Sequence, residues 1–199
     1  MKSESKKNLS LLIIGISFVA FIYGTIKAMN IVDQTHVGTS NGTYRSYITT
    51  SKEIQDKAFA LTQHCTDELC EVQVLLNFAT NIPYQTKIFQ QNSAQKTIQE
   101  NFGDCDDKSN LLISMLHALG KEAYFVLVPK HIFVITAISD LRLEKRKGLW
   151  VNGKKYYILE STAKNSKVGF PLHYKLDDIN VIVEPFSNEK LSIEKIEWK

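Results

Sequence analysis

A cysteine, a histidine and a glutamate in the second half of the chain have the side chains needed for thiol-based acyl transfer. Cys105 is predicted to lie in the first turn of a helix, where unpaired backbone N–H groups and the helix dipole favour a thiolate. Asp106 and Asp107 oppose this effect, because nearby negative charge raises the pKa of a thiol. The cysteine therefore needs a basic partner to act as a nucleophile.

His131 and Glu160 are the candidates for that base and for the acceptor that orients it. His131 is predicted to open a strand, and Glu160 ends an apolar strand, where a carboxylate is unusual. The second nitrogen of a catalytic imidazole needs such an acceptor. Each residue alone has a plainer explanation: a buried thiol, a histidine at a strand start, a solvated carboxylate. Their order along the chain favours a catalytic site without establishing one.

The elements that must position Cys105 are helices. Apolar residues recur at three-to-four spacing over 54–79, which predicts one helix broken near residue 65 or two short ones. A weaker helix is predicted over 94–101. The clearest helix begins after Asp104, an N-cap that forms a capping-box-like pair with Asp107, and it ends at Gly120.

The elements that must position His131 and Glu160 are strands. Segments rich in Val, Ile, Tyr and Phe predict strands over 122–128, 131–138, 155–160 and 180–183. The charged, glycine-bounded segment 145–153 is typical of a hairpin-like connection. Helices first and a mostly antiparallel sheet second indicate an α+β fold.

The first fifty residues predict a membrane anchor and a tether. The apolar run 9–29 is long enough for a bilayer, which a helix of about 20 apolar residues crosses. Lysines in the tail 1–8 place the N-terminus in the cytoplasm, so the rest of the chain is extracytoplasmic, periplasmic or on the outer surface. A cleaved signal peptide is the alternative, but its apolar region is shorter and ends at an A-x-A-like site. The polar segment 30–50 is the predicted tether, and 51–199 is the predicted domain.

The cysteines agree with an extracytoplasmic location. Cys65 and Cys70 are close enough in sequence to form a disulfide, which leaves Cys105 as the odd thiol. A zinc site that includes His64 would need a second ligand pair, which does not follow, so no metal is predicted. Reduced structural thiols remain the alternative for this pair. A redox role for Cys105 is weak, since no second cysteine lies within C-x-x-C spacing.

Composition excludes other classes of protein. The chain is 44% hydrophobic and 10% aromatic, which is typical of a folded domain. Its net charge of +3 is small and scattered, which argues against a nucleic-acid partner.

Several segments, in order, resemble the motifs of the transglutaminase-like superfamily. Residues 103–109 match its nucleophile motif, G-D-C-x-D before a Leu-rich helix ending in Gly, and residues 81–84 resemble its N-I-x-Y element. Residues 131–134 resemble its histidine strand. Residues 156–162 resemble the acid strand of a prokaryotic branch, L-E-T-T followed by I-G-x-x-P, here at 168–171. Two positions depart from the pattern: many relatives have Asp in place of Glu160, and Phe133 stands where H-x-W is common.

The resemblance implies a papain-like α+β core in which the helix carrying Cys105 packs on the sheet carrying His131 and Glu160, the catalytic triad. It implies that Tyr84 lines the substrate site, although a loop aromatic covering the core is an equal alternative. The expected activity is hydrolysis of amide bonds in a protein or peptide substrate, with no cofactor and no metal. A crosslinking acyltransferase and an inactive extracytoplasmic binding module are the alternatives.

Overall fold

The computed structural model describes residues 12–26, 48, 51–86 and 92–199 of the chain. Residues 12–26 form helix α1. Four further helices follow: α2 (Lys52–Thr62), α3 (Glu68–Asn81), α4 (Ala94–Glu100) and α5 (Cys105–Ala118). Each of these four begins after a Ser or Asp whose side chain accepts a backbone N–H of the first turn, namely Ser51, Asp67, Ser93 and Asp104. The predicted break near residue 65 is confirmed as the gap between α2 and α3.

The predicted anchor lies only partly within the described residues. In the part of the chain that the structure covers, no helix is both long enough and apolar enough to span a bilayer. Residues 9–11 and 27–29, at the two ends of the predicted span, lie outside the described residues, as do the tail 1–8 and nearly all of the tether 30–50. The anchor and the extracytoplasmic location therefore stay predictions.

Six strands form an antiparallel sheet in the order β5-β1-β2-β4-β3-β6. The strands are β1 (Ala123–Val128), β2 (His131–Thr136), β3 (Leu149–Val151), β4 (Lys154–Leu159), β5 (Val181–Val183) and β6 (Ile196–Trp198). The α+β prediction is confirmed, with two corrections. The predicted connection 145–153 contains β3, and β6 was missed, because strands this short show no periodicity. Positive φ angles of 50° at Asn152 and 82° at Gly153 form the tight β3–β4 turn.

The sheet is buried on both faces. One face packs on the helices, where Leu75, Leu111 and Met115 are fully buried against Val134 and Leu159. The other face, which includes Phe133 and Ile158, is covered by apolar side chains of the segments 170–179 and 191–193. Burial on both faces explains why the central strands are apolar throughout rather than alternating with polar residues.

Helix α5 lies at the centre of the domain, and every residue from Asp107 to Leu116 is buried. Its C-terminal end follows the prediction, since Gly120 has φ 70° and its N–H donates to the His117 carbonyl. Its predicted capping box is wrong. Asp104 accepts the N–H groups of Asp106 and Asp107, but the Asp107 carboxylate accepts the backbone N–H of Asn92 instead, at 2.5 Å. Asp107 thus joins α5 to the segment before α4.

Candidate active site

Cys105 is the first residue of α5, and the turn before it is closely packed. A side chain at Gly103 would place its Cβ 2.7 Å from the Cβ of Asp107, so only glycine fits there. The Gly103 N–H donates to the Pro83 carbonyl, and the Gly103 carbonyl accepts the Gln85 N–H. These bonds tie the loop after α3 to the turn that carries Cys105. They also place Tyr84, paired with Gly103 in an isolated bridge, beside the candidate nucleophile.

His131 and Glu160 are brought together by neighbouring strands. A tight turn with Lys130 at φ 61° returns the chain from β1 into β2, which begins at His131. Glu160 follows β4 directly, and β4 pairs with β2. The Nε2 of His131 lies 2.8 Å from Oε2 of Glu160. The other carboxylate oxygen accepts the backbone N–H of Thr162 at 3.0 Å and its hydroxyl at 2.5 Å, so both oxygens are held.

Cys105 approaches the same end of β2. The backbone N–H of Ile132, the residue after His131, lies close enough to Sγ of Cys105 to lower the pKa of the thiol. The thiol in turn donates to Oδ1 of Asp106 at 3.2 Å. The three residues predicted to be catalytic therefore meet where β2 begins, α5 begins and β4 has just ended.

Residues 55–134, which contain Cys105 and His131, match the family model of the transglutaminase-like superfamily. This middle segment of the chain is thus similar to the transglutaminase-like core. The matched segment ends before Glu160, so the place of Glu160 in the site rests on its hydrogen bonds and on the sequence motif.

A solved structure, of a proposed cysteine protease from Cytophaga hutchinsonii, is also similar to this chain. The two are 19% identical with a TM-score of 0.46, and the similarity covers 78% of this chain and 53% of the other. The chain thus spans about half the length of that protein. No curated protein sequence matches the chain.

The pKa of the Cys105 thiol is raised above its ordinary value. Burial raises the pKa of Cys105, and the charges of Asp106 and Asp104 raise it further, against a smaller lowering by the Ile132 N–H. The expected opposition from Asp106 is confirmed. The expectation that the helix N-terminus favours a thiolate stays a prediction, and burial and the neighbouring acids act against it.

The pKa values of the two carboxyl groups beside Cys105 and His131, those of Asp106 and Glu160, are shifted in opposite directions. Burial and the adjacent Asp104 raise the pKa of Asp106 to about 8. Burial also acts to raise the pKa of Glu160, but the hydrogen bonds from His131 and Thr162 outweigh it and lower that pKa. Glu160 is therefore ionised over the physiological range and can orient His131, whereas Asp106 gains its charge only in mild alkali.

Tyr84 lies at the mouth of the site. Its side chain is 54% exposed. Burial of the rest of the ring raises the pKa of its hydroxyl, as do the negative charges of Cys105 and Asp104. The position agrees with the predicted substrate contact, which stays a prediction.

Tyr174 is a site residue that the sequence analysis missed. Its ring is nearly parallel to the imidazole of His131, with centroids 6.1 Å apart, and to the ring of Phe133, at 6.3 Å. Tyr174 comes from a segment without regular structure, so neither periodicity nor a motif marked it. Thr162 lies within the acid-strand motif at 156–162, so the sequence marked its segment but not its contact with Glu160.

Cys65 and Cys70 are joined by a disulfide whose Cα atoms are 5.4 Å apart. The bond links the end of α2 to the first turn of α3. Cys105 is the free cysteine of the chain. Within residues 12–26, 48, 51–86 and 92–199, no cluster of His, Cys, Asp and Glu has the arrangement of a metal site.

Proposed function

We propose that this chain is a cysteine hydrolase, a peptidase or amidase, that cleaves amide bonds by acyl transfer through Cys105. The observation that carries the proposal is the meeting of two contacts at the start of β2. Nε2 of His131 is hydrogen-bonded to Glu160, and the N–H of the next residue, Ile132, lies close enough to Sγ of Cys105 to lower the pKa of the thiol. The match of residues 55–134 to the family model of the transglutaminase-like superfamily supports the same assignment.

The contacts of His131 assign its two ring nitrogens. Nε2 donates its proton to the Glu160 carboxylate, so Nδ1 is the nitrogen available to take the thiol proton. The ionised carboxylate then stabilises the imidazolium that forms. The thiolate of Cys105 attacks the amide carbonyl, and the backbone N–H of Cys105 at the start of α5 donates to the oxyanion. His131 protonates the leaving amine, and water hydrolyses the thioester.

The resting contact with Asp106 must be broken before attack. The thiol donates to Asp106 in this structure, so its hydrogen has to turn towards His131 by rotation about the Cα–Cβ bond. The site thus holds a neutral thiol at rest, and proton transfer to His131 accompanies attack.

A binding module without catalysis is the second candidate. The raised pKa of Cys105 and its contact with Asp106 favour that candidate, because both keep the thiol unreactive. The Glu160–His131 hydrogen bond favours the enzyme, because a module that only binds has no need of an oriented imidazole.

The proposal places the domain outside the cytoplasm, tethered by the apolar segment 9–29. The Cys65–Cys70 disulfide supports this location, since disulfides persist in oxidising compartments. The partners proposed are a protein or peptide substrate and the membrane.

Acylation of the full chain by p-nitrophenyl acetate tests the chemistry. We expect rapid release of p-nitrophenol, an acetyl group on Cys105 by mass spectrometry, and slower deacetylation by water. Cys105→Ala should abolish the reaction without a loss of thermal stability, and His131→Ala should slow it strongly. Acylation that is independent of His131 would support the binding module instead. Faster deacetylation with an added primary amine than with water alone would indicate crosslinking.

A further inference from the structure

A cavity adjoins the His131–Glu160 pair on the sheet face that is turned away from the helices. Its volume is about 420 Å³, within the range of ligand sites. Apolar and aromatic side chains line most of it: Phe133, Ile158, Phe170, Leu172 and Tyr174. The cavity therefore shares one wall with the candidate catalytic residues.

The walls of the cavity are held in place before any ligand binds. The backbone N–H groups of Gly169 and Phe170 both donate to the Ile158 carbonyl, at 3.1 Å, which fixes the segment to β4 beside Glu160. The side chain of Gln73 on α3 accepts the N–H of Val168 at 3.0 Å. A fixed, preformed wall limits the entropy lost on binding.

Three polar side chains of the cavity, those of His131, Glu160 and Thr162, are paired with one another. His131 and Glu160 share a hydrogen bond, and the hydroxyl of Thr162 donates to Glu160. A charged or strongly polar ligand would lose its hydration against this mostly apolar wall, where Glu160 and Nε2 of His131 are already paired. An apolar ligand loses little and gains contact with the aromatic rings.

We propose that this cavity is a specificity pocket for a large apolar side chain, aromatic or aliphatic, of a residue within two positions of the amide bond that is cleaved. The limit of two positions follows from chain geometry. An extended residue spans about 3.5 Å, and His131 and Glu160 line the cavity, so only a side chain close to the cleaved bond can reach it. This inference rests on the proposed hydrolase function and adds its substrate class. The enzyme would thus act next to apolar side chains in proteins or peptides.

Side-chain-bearing alkylating probes test the pocket without requiring turnover. Two series of probes are used. N-chloroacetyl amino-acid amides have the side chain on the C-terminal side of the carbon that Cys105 attacks, and N-acetyl amino-acid chloromethyl ketones have it on the N-terminal side. In each, His131 takes the thiol proton, a carbon–sulfur bond forms and chloride leaves. The rate at which each Phe, Leu, Asp and Lys probe alkylates Cys105 in the full chain is compared with the rate of the Gly probe. Each rate is divided by the rate of the same probe with glutathione, which corrects for the probe's own reactivity.

We expect the Phe and Leu probes of at least one series to react about tenfold to hundredfold faster than the Gly probe, the size of discrimination typical of apolar pockets. Ala163→Leu and Leu172→Phe fill the cavity, so the ratio of the Phe or Leu rate to the Gly rate should fall towards one in both variants. Ala60→Leu is the control for Ala163→Leu: it makes the same substitution on an exposed face of α2 and should keep the preference for the Phe and Leu probes.

Rates without a preference in both series would overturn the pocket. So would a preference for Asp or Lys, or a preference that survives both filling variants while their unfolding temperatures stay unchanged. Iodoacetamide, which has no side chain, separates the two proposals. If iodoacetamide alkylation of Cys105 depends on His131 but the probes show no side-chain preference, the proposed pocket is overturned and the proposed hydrolase is not. If its reaction is independent of His131, the proposed hydrolase fails.

Discussion

The Nε2 of His131 lies 2.8 Å from Oε2 of Glu160, and the two residues come from the first position of β2 and the position directly after β4. Both side chains are mostly buried, with exposed fractions of 18% and 11%. Thr162 holds the second carboxylate oxygen, so the carboxylate cannot turn away from the ring. The additional methylene of Glu160, compared with Asp, is therefore accommodated without losing the contact.

Replacing Glu160 by Gln should slow acylation of Cys105 by about a hundredfold or more, because the imidazolium loses its counter-charge and its orientation. The measurement is the rate of p-nitrophenol release under single-turnover conditions. Glu160→Asp keeps the charge at a greater distance and should retain more activity than the Gln variant. Equal activity in wild type and Glu160→Gln would contradict the role assigned to Glu160.

The same substitution should show a pH-dependent change in stability. The folded protein lowers the pKa of Glu160 below its ordinary value of 4.5, so ionised Glu160 stabilises the fold above that value. This stabilisation is lost as the pH falls through the folded pKa. The difference in unfolding free energy between wild type and Glu160→Gln should therefore be present at neutral pH and shrink in acid. A difference that stays constant from neutral pH into acid would contradict the lowered pKa.

Asp106→Asn should make Cys105 reactive at lower pH. The substitution removes a charge that raises the pKa of the thiol and weakens the acceptor of its hydrogen bond. Because the pKa of Asp106 is itself raised to about 8, the difference between variant and wild type should be largest above that pH. The measurement is the rate of iodoacetamide alkylation from pH 5 to 10, with Asp56→Asn on the exposed face of α2 as the matched control. Superimposable profiles would show that Asp106 does not restrain the thiol.

Lys108→Met should destabilise the domain and loosen the loop that carries Tyr84. Lys108 is only 1% exposed, and its ammonium group donates to the carbonyls of Ile82 at 2.8 Å and Thr80 at 3.3 Å. Without these donors, the carbonyl groups at the end of α3 stay buried and unpaired, at a cost of about 1–3 kcal/mol. Urea unfolding measures the loss, and Lys147→Met at an exposed site is the control. A loss no larger than that of the control would mean that water replaces the lysine.

Removing the disulfide by Cys65→Ser and Cys70→Ser together should lower the free energy of unfolding by about 2 kcal/mol, the loop-closure entropy of so short a loop. Acylation of Cys105 should persist at temperatures where the variant stays folded, because the disulfide joins α2 to α3 and makes no contact with the reactive residues. Loss of acylation in the folded variant would assign the disulfide a role in the site.

The sequence by itself determined the elements that carry the reactive residues. Caps, periodicity and β-branched runs act over a few neighbouring residues, which is why the start of α5 at Cys105 and the start of β2 at His131 were predicted correctly. The order of the motifs also identified Glu160, although it lies outside the segment that the family model matches.

Only the tertiary structure decided which groups these residues contact. Asp107 binds Asn92 across the fold instead of capping its own helix, and Asp106 takes the thiol hydrogen that the pattern assigned to a histidine. Tyr174 and the cavity beside His131 come from a segment without periodicity, held by hydrogen bonds to β4 and α3. Contacts between residues far apart in sequence depend on how the elements pack, and the desolvation that they cause raises the pKa of Cys105 although this residue begins a helix.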